Sequence, residues 1–261
     1  MILDEIVENK RIELADTKSR VGLTELEDRV RKMEDTPRDF KAALRKDGIS
    51  LIAEIKRSSP SKGDMLLDLD LRELGGLYQQ NGARAISILT DKKYFKGSLG
   101  DLSTVRKYVQ VPCLRKEFIV DPYQIYEARA AGADAILLIV RILSQTELTE
   151  FHALALSLGL HILVETHNEE EVDRALAAGA HIIGINNRNL DTLEMDLGTT
   201  MRLKKHVPGG KTLVSESGIY TRDEVQQLED CGIDAILVGQ SLLTSNNIQE
   251  KIGELLGHDA R

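Results

Sequence analysis

The chain has 261 residues, 42 of them Asp or Glu and 34 Lys or Arg, so it carries a formal charge of −8. That balance argues against a nucleic-acid partner, which needs a concentrated basic surface, but not against a small anion held in a local pocket. With 42% apolar residues and no clean apolar run longer than Ala135 to Val140, the chain is of globular type and lacks a membrane-spanning helix.

Met1 to Glu5 lack the basic head and long apolar stretch of a secretory leader, so a cytoplasmic chain is expected. Residues 1–50 read as helices. Ile2, Leu3, Ile6, Val7 and Leu14 form one stripe. Thr24 to Glu27 reads as a capping box ahead of Leu26, Val30 and Met33, and Thr36-Pro37 opens a third short helix with Phe40 and Leu44. The segment is too short for much core of its own, so it is expected to pack as an extension on residues 51–261 within a single domain.

From residue 51 onward the chain repeats. Gly82, Gly132, Gly179 and Gly232, spaced 50, 47 and 53 residues apart, each close a helical pattern. Each precedes a short apolar run: Ala85–Leu89, Ala135–Val140, Ile182–Ile185 and Ala235–Val238. A second set interleaves: Leu51–Lys56, Val111–Lys116, His161–Glu165 and Lys211–Glu216. Uninterrupted apolar runs bounded by Gly or polar residues suit strands buried on both faces of a parallel sheet. Between them lie helices with legible starts: Asp121-Pro122, Ser144 to Glu147, Asn168, and Thr221 to Glu224. Eight strands alternating with helices about 25 residues apart predict an α/β fold, a (β/α)₈ TIM barrel with an N-terminal helical extension; an open doubly wound sheet is the alternative.

In such a barrel the chemistry sits where strands meet their following loops. Those ends carry six polar residues, Glu54, Lys56, Lys116, Glu165, Asn186 and Glu216, with Arg188 just beyond Asn186. Glu54 and Lys56 share parity and point the same way. One such residue is ordinarily a structural ion pair, but a barrel lumen wants branched apolar residues, not six polar ones. Lysines and glutamates converging on one mouth shift each other's pKa values, as acid–base catalysis near neutral pH requires.

The loops after strands 7 and 8, Ser217-Gly218-Ile219 and Gly239-Gln240-Ser241, have the small residues that let main-chain N–H groups approach a phosphate. The loop after strand 1, Arg57 to Gly63, adds hydroxyls and cations, Ser59 among them. Tyr94, Phe95, Phe118, Leu137 and Leu193 are candidates for a flat apolar wall. Cys113 and Cys231 are expected to be buried reduced thiols. The histidines at 152, 161, 167, 181, 206 and 258 show no metal-ligand spacing, so no metal site is expected.

These stretches resemble the indole-3-glycerol phosphate synthase family: Glu54 to Gly63, Ser87 to Phe95, Leu114 to Tyr126, Leu163 to Glu165, Gly184 to Leu190 and Ser215 to Ile219. The resemblance covers essentially the whole chain. It implies closure of a carboxyphenylamino deoxyribulose phosphate to an indole, with loss of carbon dioxide and water and with no metal or organic cofactor. On it, Lys116 matches the general acid and Glu165 the base of dehydration. Lys56 matches the lysine that holds the substrate carboxylate, oriented by Glu54. Asn186 and Glu216 match residues that bind ribulose hydroxyls or order the lysines. Ser59, Ser217, Gly218, Gly239 and Gln240 fall at the phosphate site. Phe95, Phe118, Leu137 and Leu193 match the clamp on the aryl ring, and Arg188 a support behind it.

Two positions depart from the family pattern. Glu117 stands where Asp is commoner, and Gln240 where many members carry Glu; neither removes a proposed catalytic group. The expected partner is a small anionic sugar phosphate, with no nucleic acid or membrane, and the expected state is a monomer. Two other readings stay open. One is a related phosphate-binding barrel such as phosphoribosylanthranilate isomerase, for which Cys113 would matter. The other is a barrel that binds ligand without turnover.

Overall fold

The structure, a computed structural model, describes residues 2–59, 63–64, 70–190 and 192–257. Pro60, Ser61, Lys62 and His258 lie outside the described residues, as does the side chain of Ser59. Three helices come first: α1 (Ile2–Arg20), α2 (Leu23–Arg31) and α3 (Phe40–Leu44). Strand β1 (Ser50–Ile55) follows, then a small hairpin of β2 (Ser58–Ser59) and β3 (Gly63–Asp64). The remaining strands are β4 (Ala83–Leu89), β5 (Cys113–Lys116), β6 (Ala135–Ile139), β7 (His161–Thr166), β8 (Ile182–Asn186), β9 (Thr212–Glu216) and β10 (Ala235–Val238).

Helices alternate with them: α4 (Leu71–Gln80), α5 (Leu99–Tyr108), α6 (Tyr123–Ala130), α7 (Gln145–Ser157), α8 (Glu169–Ala177), α9 (Gly198–Leu203), α10 (Arg222–Asp230), α11 (Gln240–Leu243) and α12 (Ile248–Leu256). The strands close a parallel barrel in the order β1-β10-β9-β8-β7-β6-β5-β4, so the predicted ring forms and the open sheet does not. Each repeat glycine has positive φ, from +71° at Gly232 to +108° at Gly82, the left-handed conformation that ends a helix at little steric cost.

The apolar runs conceal an alternation that the barrel makes visible. Ile52, Ala85, Leu114, Leu137, Leu163 and Val214 fill the lumen. Their strand neighbours Leu51, Ile86, Cys113, Leu138, Val164 and Leu213 belong to the layer between strands and helices. Phe40 and Leu44 of α3 are fully buried with the lumen cluster, so α3 serves as a plug.

The capping pairs Ser144/Glu147 and Thr221/Glu224 form in both directions, and Asn168 accepts from the Glu171 N–H at 2.9 Å. Two predicted starts are corrected. Helix α2 begins one residue after Gly22, which places Thr24 inside the helix and removes it as a cap. Helix α3 is capped by Asp39, whose side chain accepts from the Ala42 N–H, rather than opened by Thr36-Pro37. The α1 stripe also differs: its buried positions are Leu3, Ile6, Lys10 and Leu14. Of the thiols, Cys113 is buried and Cys231 only partly so.

Candidate active site

The barrel mouth opens into a cavity of about 470 Å³. Inward parity delivers six polar groups to it from five strands: Glu54 and Lys56 at β1, Lys116 at β5, Glu165 at β7, Asn186 at β8 and Glu216 at β9. Cross-strand register sets them level, since Asn186 pairs with Glu216 and Glu165 with Gly184. Gly184 is the empty lumen position of its layer. A β-carbon there would collide with the Glu216 carboxylate.

Lys116 is the hub. Its Nζ donates to Glu165 Oε2 at 3.2 Å and, more closely, to Glu216 Oε2. Glu165 Oε1 accepts from Asn186 Nδ2 at 3.2 Å. Lys56 Nζ donates to Glu54 Oε1 at 2.8 Å, which fulfils the expectation that the two side chains point together. Glu216 Oε1 is buried against the empty face of Gly184 and has no hydrogen-bond partner in the protein.

Electrostatics separate the roles. Burial alone would push the Lys116 ammonium down, yet Glu216, Glu165 and Glu54 outweigh it and hold the lysine above its ordinary value. Burial alone would raise Glu165; Lys116, His167 and Asn186 overcome it and keep the carboxylate well below its ordinary range. Glu54 is likewise lowered, because Lys56 and Lys116 overcome its burial. Glu216 goes the other way, pushed up to about 7 because burial, Glu165 and Glu54 together exceed the pull of Lys116. Two carboxylates on one lysine therefore divide: Glu165 is held ionised, and Glu216 takes a proton more readily.

The loop residues gather as predicted, with corrections. Ser217 and Gly218 both take left-handed backbone, at φ +67° and +75°, and this turns the chain sharply after β9. Asn187 Nδ2 braces the turn by donating to the Ser217 carbonyl at 3.0 Å. Ser241 Oγ donates to the Ile219 carbonyl at 3.0 Å and ties the two candidate phosphate loops together. Gly239 and Gln240 line the same wall. Gly239 has a second reason to lack a side chain, since a β-carbon would stand 2.6 Å from Glu54 Oε1. Ser59 is held in β2, but Arg57 turns away from the mouth to pair with Asp101 at 3.1 Å.

On the opposite wall Phe95 and Phe118 pack with ring centroids 6.0 Å apart, beside buried Leu137 and half-exposed Leu193. Tyr94 does not join them; its hydroxyl donates to Glu5 of α1 at 2.9 Å. Arg188 lines the cavity itself, which corrects its placement as a support behind the site. The sequence reading missed the contribution of α1, whose Ile2, Leu3 and Ile6 form part of the wall. It also missed His167, which faces Glu165; the signal was there, since residue 167, just past the end of β7, keeps the parity of residue 165.

The family model described as indole-3-glycerol phosphate synthase matches residues 3–255. The chain belongs to the indole-3-glycerol phosphate synthase family. It is 44% identical to the indole-3-glycerol phosphate synthase of Acetivibrio thermocellus over 97% of this chain and 98% of that one. It is 46% identical to that of Endomicrobium trichonymphae over 98% and 99%. Similarity to solved structures extends the fold beyond the family. A thiamine phosphate pyrophosphorylase from Pyrococcus furiosus superposes with TM-score 0.61 at 17% identity, over 79% of this chain and 93% of that one. A tryptophan synthase alpha-subunit variant from the same organism superposes with TM-score 0.60 at 16% identity, over 82% and 99%.

Proposed function

We propose that this chain converts 1-(2-carboxyphenylamino)-1-deoxyribulose 5-phosphate into indole-3-glycerol phosphate, carbon dioxide and water, a step of tryptophan biosynthesis. Family membership supports the activity. The observation that carries the assignment of roles is Lys116, clasped between Glu165 and Glu216 within a cavity that has an aryl wall on one side and two small-residue loops on the other.

The roles follow from charge. The phosphate sits against the loops of Ser217-Gly218 and Gly239-Gln240, with Ser59 from the first loop, and the aryl ring lies among Phe95, Phe118, Leu137 and Leu193. Lys56, aligned by Glu54, holds the ring carboxylate, and Arg188 adds positive charge to the same wall. As the ring carbon attacks the C2′ carbonyl, negative charge grows on its oxygen, and Lys116 donates the proton that quenches it. Carbon dioxide then leaves and restores the aromatic ring. In the last step Glu165 removes a proton from the ring-closed intermediate while the Lys56 ammonium, released from the lost carboxylate, protonates the departing hydroxyl so that it leaves as water; Asn186 and Glu216 hold the ribulose hydroxyls.

The carboxylates of the resting site are bound to lysine, which makes Glu165 a poor base until Lys116 has given up its proton. Donation removes the neighbouring positive charge and raises the proton affinity of Glu165. The acid step thus arms the base step.

The isomerase reading loses its acid–base candidate. The Cys113 side chain packs between strands and helices, and burial pushes its thiol up to about 12. The deciding experiment is an ultraviolet assay for indole formation coupled to carbon dioxide capture. Both products are expected. Rearrangement without carbon dioxide release would support the isomerase, and tight binding without turnover would support a non-catalytic barrel. The reading also takes the chain to be a cytoplasmic monomer, for which sedimentation velocity should give a single-chain mass.

A further inference from the structure

We propose that His167 is a positioning residue for Glu165, braced from behind by Glu171, so that the base carboxylate stays ionised and aligned towards Lys116. The inference rests on the reading of Glu165 as the base. His167 follows the end of β7, and its side chain is 7% exposed. Its Nε2 lies 3.3 Å from Glu165 Oε1, and its Nδ1 lies 2.9 Å from Glu171 Oε2. Glu171 is itself fixed: its Oε2 accepts the His167 main-chain N–H at 2.8 Å, and its Oε1 accepts from Asn168 Nδ2 at 3.2 Å.

A neutral imidazole has one N–H and one bare lone pair. A carboxylate faces each nitrogen here, so the neutral ring would set a lone pair against an anion whichever tautomer it chose. The charged ring, with two N–H groups, donates to Glu171 on one side and sets positive charge against Glu165 on the other. The same geometry shifts the ring to about 9, with Glu165 and Glu171 overcoming its burial. The Nε2 contact, at 3.3 Å and not aligned for a hydrogen bond, acts by charge. Among the described residues, Glu165 and Glu171 are the charged groups that touch the ring. Glu165 is faced by Lys116 from β5, His167 from the turn after β7 and Glu216 from β9 through that lysine; Asn186 from β8 adds a neutral donor, and Glu54 from β1 acts on Lys116. When Lys116 transfers its proton, His167 is the cation that remains beside the base. It keeps Glu165 ionised at the acid end of the working range.

The test compares the pH dependence of kcat in wild type, H167Q, H167N and E165Q, with folding checked by circular dichroism. H167Q and H167N should move the acid limb up by about one pH unit or more, with about a tenfold loss of kcat near pH 6, recovery at higher pH and KM changed less than about threefold. E171Q should shift the limb in the same direction if the histidine variants fail to fold. Nitrogen-15 NMR of the wild-type protein should find both ring nitrogens of His167 protonated at pH 7.5. A neutral ring, or folded variants whose profiles superpose on wild type while E165Q is impaired, overturns the role of His167 alone. A wild type that makes no indole, or an E165Q variant with full activity, overturns the assignment of Glu165 and this role with it.

Discussion

Lys10 of α1 reaches into the barrel and pairs with Asp91, just past the end of β4, at 2.8 Å. The same ammonium lies 3.3 Å from Glu117 and 2.7 Å from Glu13. Asp91 in turn accepts the main-chain N–H groups of Tyr94 and Phe95 at 2.8 and 3.3 Å. One buried cation therefore joins the helix that supplies Ile2, Leu3 and Ile6 to the loop that supplies Phe95. Replacing Lys10 with Met leaves Asp91 buried without its cation and Glu117 with only Arg115, 3.7 Å away, as a countercharge, a loss of about 3–5 kcal/mol. Urea denaturation should report that loss, and KM should rise several-fold more than kcat falls, because the cavity wall loosens while Lys116 and Glu165 stay in place.

Lys116→Ala should lower kcat by about 10²–10⁴-fold, the usual worth of a general acid. The fold should survive, because Glu165 and Glu216 can take up protons once the lysine is gone. Glu165→Gln should depress kcat more than it raises KM. Steady-state kinetics with a circular dichroism control checks both, and a near-wild-type rate for Lys116→Ala would remove it from the mechanism.

Gly184→Ala tests whether Glu216 depends on an empty neighbour. The added methyl would meet the Glu216 carboxylate and stand 3.2 Å from Leu163 Cδ1. Glu216 is 1% exposed and has nowhere to retreat except away from Lys116. Overpacking of this kind costs about 1–3 kcal/mol. Activity should fall more than the Tm shift explains, and a crystal structure should show the Lys116–Glu216 contact broken.

Inorganic phosphate should compete with substrate, and crystals soaked in sulfate should hold an anion beside Ser217 and Gly239. Density elsewhere in the mouth, and none there, would relocate the phosphate site.

The pH dependence of stability has a definite sign. His167 is raised from 6.5 to about 9 in the folded chain, so its contribution is complete below pH 6.5 and is lost as pH climbs through 9. A shift of that size is worth about 3 kcal/mol. Glu216, raised from 4.5 to about 7, likewise favours the fold below pH 4.5 and ceases to do so as pH passes 7. Urea titrations should show wild type losing stability between pH 6.5 and 9, with that slope flattened in His167→Gln.

The chain by itself determined the barrel and the membership of its mouth. Runs such as Ala135 to Ile139 are buried on both faces, the glycines that follow each helix admit left-handed backbone, and parity along a strand carries Glu54 with Lys56 into one lumen. Each of these is a local property. Which charges touch was decided by closure of the ring, because Lys116 and Glu216 stand 100 residues apart and meet only through the register of β5 to β9. Lys10 looked like a break in an apolar stripe, since nothing nearby in the sequence announces Asp91 and Glu117 as its buried partners. His167 was one histidine among six until a carboxylate stood at each of its nitrogens.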